Sequence, residues 1–88
     1  MPPVVVPCAA DTWVKVATAV TSATIHKIGL LPGVYKWTYV ANLAAAPTDD
    51  SDAVLAFGDK DLLEFIDSAS SDVYIKAVKK DGSVRVDA

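Results

Sequence analysis

The sequence predicts a mainly β protein, a small antiparallel β-sandwich or barrel with one short helical turn. Apolar and polar residues alternate with a period of two along most of the chain, and Val, Thr, Ile, Tyr and Trp, which are typical of strands, carry this alternation. The chain has 88 residues, 52% of them hydrophobic, which suffices for one core and not for two. We therefore expect a single domain over residues 1–88, with residues 1–11 as an extended N-terminal arm.

Two strands are expected directly after the arm. The alternation over residues 12–20 predicts the first strand, and the alternation over residues 23–28 predicts the second, with the pair 21–22 as the turn between them. Pro32 and Gly33 follow, and this pair favours a type II turn because proline presets the negative φ and glycine takes the positive φ.

Residues 34–40 form the most regular segment, and they predict a strand with an aromatic face. Tyr35, Trp37 and Tyr39 alternate with Val, Lys and Thr, so the three rings share one side of the strand. Such a face can fill the core of a small domain, anchor a protein interface, or stack on sugars. The sequence leaves these alternatives open.

A loop is expected over residues 41–52, which have no period and collect turn-forming and acidic residues. Loops of this length in a small domain are often functional, so Pro47, Asp49 and Asp50 are candidate contact residues. The apolar residues 53–57 then predict a short strand.

A helical turn is expected after this strand. Asp61 matches a helix N-cap, and Glu64 stands where a capping box places a carboxylate that reaches back. In such a helix Leu62, Phe65 and Ile66 would share the face that packs on the core.

The last predicted element is a β-hairpin. Residues 73–79 and 83–86 alternate between apolar and polar side chains, and Asp81 and Gly82 lie between the two runs. An Asp-Gly pair between alternating runs is a strong short-range signal for a hairpin turn.

The arm is rich in proline and valine. Val4, Val5 and Val6 lie between Pro3 and Pro7, which favour extended backbone. An arm of this kind can add a strand to the sheet of a neighbouring protein, or it can form an edge strand of its own domain.

Composition and charge disfavour two classes of partner. Eight Lys and Arg residues stand against eleven Asp and Glu residues, a formal net charge of −3, so no phosphate-binding surface for nucleic acid is expected. No apolar run reaches the roughly 20 residues that span a bilayer. The N-terminal residues also lack the basic start and unbroken apolar run of a secretory signal. We expect neither a nucleic-acid nor a membrane partner.

The chain offers little catalytic chemistry. His26 is its single histidine and Cys8 its single cysteine, so it cannot form a transition-metal site from several His or Cys ligands or close an intramolecular disulfide. Cys8 is expected to be a small buried side chain, and His26 a strand residue with one face in water. The four glycines are isolated and form no phosphate-binding loop. The expectation is a protein that is not an enzyme and has no cofactor and no metal, made in a reducing cytoplasm.

Several segments together resemble the small β-rich virion structural proteins of tailed bacteriophages, of the capsid decoration or head/tail accessory type. These segments are TWVKVAT (12–18), VTSATIHK (20–27), YKWTYV (35–40), APTD (46–49) and DVYIKAVKKDGSVRVD (72–87). The resemblance implies many copies on a symmetric shell, other virion proteins as partners, a homo-oligomeric or lattice-bound state, and no catalysis or cofactor. It also implies a location in the virion after synthesis in the bacterial host cytoplasm.

The sequence therefore predicts a structural virion component that decorates or stabilises the capsid or the head/tail assembly by protein–protein contacts. The alternative is a carbohydrate-binding module that uses the aromatic strand face. Both hypotheses depend on exposed side chains, and the candidate partner-binding residues are Val4, Val5, Val6, Tyr35, Trp37, Tyr39, Pro47, Asp49 and Asp50.

Overall fold

The computed structural model describes residues 4–28, 34–51, 53–57 and 62–87, and it confirms the mainly β class. The described residues form six strands, which are β1 (Val4–Cys8), β2 (Trp13–Ile28), β3 (Val34–Ala41), β4 (Val54–Ala56), β5 (Leu62–Val78) and β6 (Gly82–Asp87). All six belong to one sheet with the order β1-β6-β2-β5-β3-β4, and every strand pair is antiparallel. The predicted strand at residues 34–40 is confirmed within β3, and the one at 53–57 is present as β4.

The sheet bends across its two long strands. The register between β2 and β5 shifts three times between Lys15 and Ser22, where β-bulges interrupt the ladder. On one side of these bulges β6 pairs with residues 24–28 of β2, and on the other side β3 pairs with residues 71–78 of β5. Because bulges bend and twist a strand, the two halves of β2 and β5 belong to two different layers.

The two layers pack face to face, as in a small sandwich. The first layer consists of β1, β6 and the paired segments 22–26 and 62–66, and the second consists of β4, β3 and the paired segments 13–17 and 73–76. Tyr35 of the second layer contacts Gly82 of the first layer, where an added Cβ would lie 2.8 Å from the Tyr35 Cζ atom. Only glycine leaves room for this ring at the start of β6.

The core lies between the layers and takes side chains from all six strands. Thirteen buried residues form it, namely Cys8, Val16, Ala17, Ile25, Tyr35, Ala56, Phe57, Phe65, Val73, Ile75, Ala77, Val84 and Val86. Within the regular strand segments the period-two alternation places these side chains inward and their neighbours outward, whereas the consecutive core residues Val16 and Ala17 lie at a register shift of β2. Burial of this apolar surface is the main contribution to the stability of the fold.

The turn predicted at residues 21 and 22 is wrong, because β2 runs through both residues without reversing. The polar residues there lie at the bulges, where the chain bends instead of turning back. The turn predicted at Pro32 and Gly33 lies outside the described residues.

The helical turn is also wrong. Asp61 lies outside the described residues, but Leu62 begins the 17-residue strand β5. Phe65 is 2% exposed and its neighbour Ile66 is 80% exposed, which is the alternation of a strand. Pairing with residues 22–26 of β2 gives this segment strand hydrogen bonds along one side and overrides its capping signal.

The strands of the predicted C-terminal hairpin are present, but they do not pair with each other. Both sides of the C-terminal half of β5 are already occupied, by β2 and by β3. β6 pairs with β1 and β2 instead. The residues around Asp81 therefore carry the chain from the second layer to the first.

Candidate functional site

Two free strand edges are the first candidate surface. β1 and β4 lie at opposite ends of the strand order, and no strand among the described residues pairs with the outer side of either one. Val4 and Val5 of β1 and Val54 and Leu55 of β4 are each more than half exposed. Because consecutive residues of a strand point to opposite faces, each edge is apolar on both faces of the sheet.

The N-terminal arm supplies one of these edges. Val4, Val6 and Cys8 of β1 lie opposite Val86, Val84 and Gly82 of β6, so residues 4–8 form an edge strand of the chain's own sheet. Of the three candidate valines, Val6 is half-buried and packs against the core, whereas Val4 and Val5 are exposed.

β4 supplies the other edge, and sequence reasoning did not single it out. Leu55 lies opposite Lys36 of β3, and Val54 lies opposite Trp37. The signal in the sequence was the short apolar run at residues 53–57, which has no polar residue to face water. That run marked a strand, but a run alone does not tell an interior strand from an edge.

Tyr35 is not a surface residue, which corrects its selection as a candidate contact. Its ring is buried in the core and meets the Phe57 ring edge-on, with 5.4 Å between centroids. Its hydroxyl hydrogen-bonds with the backbone of Ser83, and burial raises the pKa of this hydroxyl above its ordinary value of 10.0. Tyr35 therefore joins the two layers.

Trp37 and Tyr39 lie at the rim of the space between the layers. Their rings stack with centroids 6.0 Å apart, and both contact Phe65 of the opposite layer, at 6.2 and 5.1 Å. Trp37 is half-buried, and Tyr39 is half-exposed. The aromatic face is thus core at Tyr35 and becomes surface only at Tyr39.

The loop between β3 and β4 lies across the outer face of the second layer, and we call residues 42–51 the strap. Asp50 accepts hydrogen bonds from Nζ of Lys36 and of Lys76, each at 2.8 Å. Trp13 Nε1 donates to the Asp49 carbonyl oxygen at 3.1 Å. The Lys76 ammonium also lies over the Trp13 ring, 5.6 Å from its centroid.

The acidic groups of the strap are held as carboxylates. Hydrogen bonds from the Lys36 and Lys76 ammonium groups lower the pKa of Asp50 below its ordinary value of 3.8. Hydrogen bonds from the side chain and backbone of Ser51 do the same for Asp49. The charge of Asp50 is satisfied within the chain, whereas Asp49 is exposed.

A shallow cleft of about 210 Å³ separates the strap from β3. Its walls include Thr38, Tyr39, half-buried Pro47 and Asp49. The candidates Pro47, Asp49 and Tyr39 are thereby brought together, although they come from two different parts of the sequence. Asp50 points instead to the two lysines.

A buried carboxylate fastens the bend of the sheet, and sequence reasoning did not find it. Asp72 of β5 accepts hydrogen bonds from the Ala19 backbone N–H at 2.9 Å and from Asn42 Nδ2 at 3.0 Å. Lys15 Nζ lies 3.5 Å away. The bond from Ala19 is the main cause that lowers the pKa of Asp72, followed by the bond from Asn42.

Ala19 has a φ of 53° inside a bulge of β2, a conformation that is uncommon for a residue other than glycine. The bond to Asp72 satisfies its N–H there. Asp72 thus compensates for strained backbone.

Cys8 and His26 behave as the sequence suggested. Cys8 is buried, and this burial raises the pKa of its thiol to about 11, so the thiol stays protonated near neutral pH. His26 is half-buried on β2, with its Nε2 atom 3.2 Å from a carboxylate oxygen of Asp87. In the described ranges, no three His, Cys, Asp or Glu residues are grouped as metal ligands. The same ranges contain no helix long and apolar enough to span a membrane.

Comparison of the chain with protein-family models, with curated proteins and with solved structures found no match.

Proposed function

We propose that the protein is a structural subunit of a tailed-bacteriophage virion, a non-enzymatic β protein that decorates or stabilises the capsid or the head/tail assembly through protein–protein contacts. The observation that carries this proposal is the pair of free edges β1 and β4, each of which exposes apolar side chains on both faces of the sheet.

The physical reason is that such edges are costly for a protein that stays alone. An edge strand in water presents unpaired backbone N–H and C=O groups, and isolated proteins protect these groups with charges, bulges or short strands. Here both edge strands are short, and β1 contains Pro7, which has no backbone N–H to donate. Their exposed side chains are nevertheless Val4, Val5, Val54 and Leu55, which gain from contact with another protein.

The chemistry of the interior supports a structural role. The Cys8 thiol is protonated and buried, and the Tyr35 hydroxyl joins the two layers, so these groups contribute to packing. The phage assignment depends on the resemblance of the sequence segments to small virion proteins.

Mass spectrometry of purified, washed phage particles tests the proposal. We expect the protein at a constant copy number relative to the major capsid protein, and we expect it to persist after high-salt washing because the edges are apolar. If the protein occurs in the infected-cell lysate and not in washed particles, the proposal is wrong.

The alternative, a carbohydrate-binding module, has one observation in its favour, which is the half-exposed Tyr39 ring stacked on Trp37. Tyr35 is buried, so a sugar platform would consist of these two rings. Adding oligosaccharides while recording tryptophan fluorescence tests it, with Trp37→Phe to separate the signal of Trp37 from that of Trp13. Unchanged fluorescence with every sugar removes this alternative.

A further inference from the structure

We infer that the partner of each free edge is a second copy of the same chain, and that β1 of one copy pairs with β4 of the next to continue the sheet from subunit to subunit. This inference deepens the proposed function, because it names the partner of the two edges. It assigns Val4, Val5, Val54 and Leu55 as the contact residues.

The side chains of the two edges match on both faces of the sheet. On the face that points to the core, β1 presents Val4 and β4 presents Val54. On the opposite face, β1 presents Val5 and β4 presents Leu55. Pairing the edges places apolar residues beside apolar residues on both faces, and such cross-strand pairs stabilise a sheet.

The two edges also match in charge and length. Neither strand contains a charged residue, so no charge is buried without a partner when the edges meet. β4 has three residues, and β1 has three residues before Pro7, which has no N–H to donate to a second partner strand. A pairing of three residues of one copy with three residues of the next, which we call the joint, fits both strands.

Head-to-tail pairing is favoured over pairing of like edges. A two-fold joint of β1 with β1 would leave β4 exposed on both copies, and a joint of β4 with β4 would leave β1 exposed. A joint of β1 with β4 covers both edges at every contact and forms a ring if the rotation between subunits closes. This geometry suits a subunit present in many copies on a symmetric shell.

A joint this short is weak alone and strong when repeated. A single short strand buries less than the roughly 1,200 Å² of a stable interface, so we expect association of the free protein at concentrations of about 10–500 µM. In a ring or on a shell each subunit makes two such contacts, and the second contact forms at high effective concentration.

Sedimentation velocity and light scattering of the full chain test the inference. We expect the weight-average mass to rise above the 9.3 kDa of one chain as the concentration is raised. Val5→Glu and Leu55→Glu should each weaken association at least about tenfold, because each places a charged carboxylate against an apolar side chain of the other copy. Within their own sheet these carboxylates lie beside Arg85 and Lys36, so the fold should persist.

The matched control is Leu43→Glu, which makes the same charge change at a 92% exposed apolar residue in the loop after β3, away from both edge strands. It should leave association unchanged. Circular dichroism and the Tm of all three variants check that each remains folded.

Mixing the two edge variants distinguishes the possible joints. Val5→Glu retains an intact β4, and Leu55→Glu retains an intact β1, so an equimolar mixture should form two-chain species that neither variant forms alone. If Leu55→Glu alone still associates like the unmodified chain, the joint pairs like edges and the inference is wrong.

A constant monomeric mass of the unmodified chain up to about 500 µM also overturns the inference. If that monomer is nevertheless present in washed particles, the proposed function stands and only the choice of partner fails.

Discussion

One aspartate stabilises the bend of the sheet and another stabilises the strap, each through hydrogen bonds and ion pairs, but the two carboxylates lie in different surroundings. Asp72 at the bend has a side chain only 1% exposed, and it binds a backbone N–H and a lysine of β2 and an amide of the strap. Asp50 in the strap has a side chain 37% exposed, and it binds two lysines from neighbouring strands. Both are ion-paired, and both have a lowered pKa.

From this difference we expect burial, and not the number of ion pairs, to decide how much each carboxylate contributes to stability. Removing Asp72 takes a buried acceptor away from the Ala19 N–H and the Asn42 amide, which form partly buried hydrogen bonds with it, and the loss of such bonds is costly. Removing Asp50 leaves two partly exposed lysines that water can solvate, and the ion pairs of a carboxylate as accessible as Asp50 contribute little to stability. We therefore expect the bend to be essential for the fold and the strap to be dispensable.

The largest effect is expected for Asp72→Ala. It removes the acceptor for the Ala19 N–H and the Asn42 amide, and it should lower the Tm by about 10 °C or more. Thermal unfolding followed by circular dichroism measures this. Asp72→Asn is the matched control. Its side-chain amide oxygen still accepts one hydrogen bond, so the fall in Tm should be smaller than for Asp72→Ala. Equal losses in the two variants would show that the negative charge matters more than the hydrogen bonds.

The next effect is a loss of stability in acid. A carboxyl whose pKa is lowered by folding contributes stability that is fully present above about pH 4 and is lost as the pH falls through the folded-state value. We expect these groups to keep the urea midpoint constant between about pH 5 and 7, and to lower it below about pH 4.

Two variants identify which carboxyl group causes the loss of stability in acid. Asp72→Asn should reduce the fall of the urea midpoint in acid more than Asp50→Asn, because the Asp72 carboxylate is buried and the Asp50 carboxylate is partly exposed. If Asp50→Asn reduces the fall of the urea midpoint more than Asp72→Asn does, Asp72 does not contribute more to acid stability than Asp50.

A smaller effect is expected for Asp50→Asn at neutral pH. It removes the ion pairs with Lys36 and Lys76, and it should change the Tm by less than about 3 °C. The strap itself should loosen, and limited proteolysis near residues 42–51 measures that. A large fall in Tm would contradict the view that the strap is dispensable.

The smallest effect is expected for Trp13→Phe. The variant keeps an aromatic ring beneath the Lys76 ammonium and removes the hydrogen bond from Nε1 to the Asp49 carbonyl oxygen. A neutral hydrogen bond near the surface contributes little, so the Tm should change by less than about 2 °C. Faster proteolysis of the strap, without a change in Tm, would show that Trp13 positions this loop.

The sequence predicted the strands well where alternation was local. Residues 34–40 alternate without interruption, and the two runs around Asp81 do the same, so their extended conformation follows from side-chain pattern alone. The buried state of Cys8 followed from its residue type. The loop before β4 followed from its turn-forming residues, and the strap covers most of it.

The bend and the strand pairing could not be predicted, because both depend on distant contacts. Thr21 and Ser22 are typical turn residues, and only the pairing of β2 with β5 makes them part of one continuous strand. The Asp81-Gly82 pair signals a hairpin, but β3 occupies the edge of β5 that a hairpin would need. Asp72 resembles any polar strand residue until the bulge at Ala19 brings a backbone N–H to it.

The pairing of β1 with β6 has a consequence for how the protein forms. The partner of Val4 is Val86, so the first strand has no pairing strand until a ribosome has made almost the whole of this sequence. Contacts between such distant residues slow folding, because a long loop must close before they are made. During synthesis the apolar segment 4–6 therefore stays unpaired, and open to contact with other proteins, until residues 84–86 of β6 have been made.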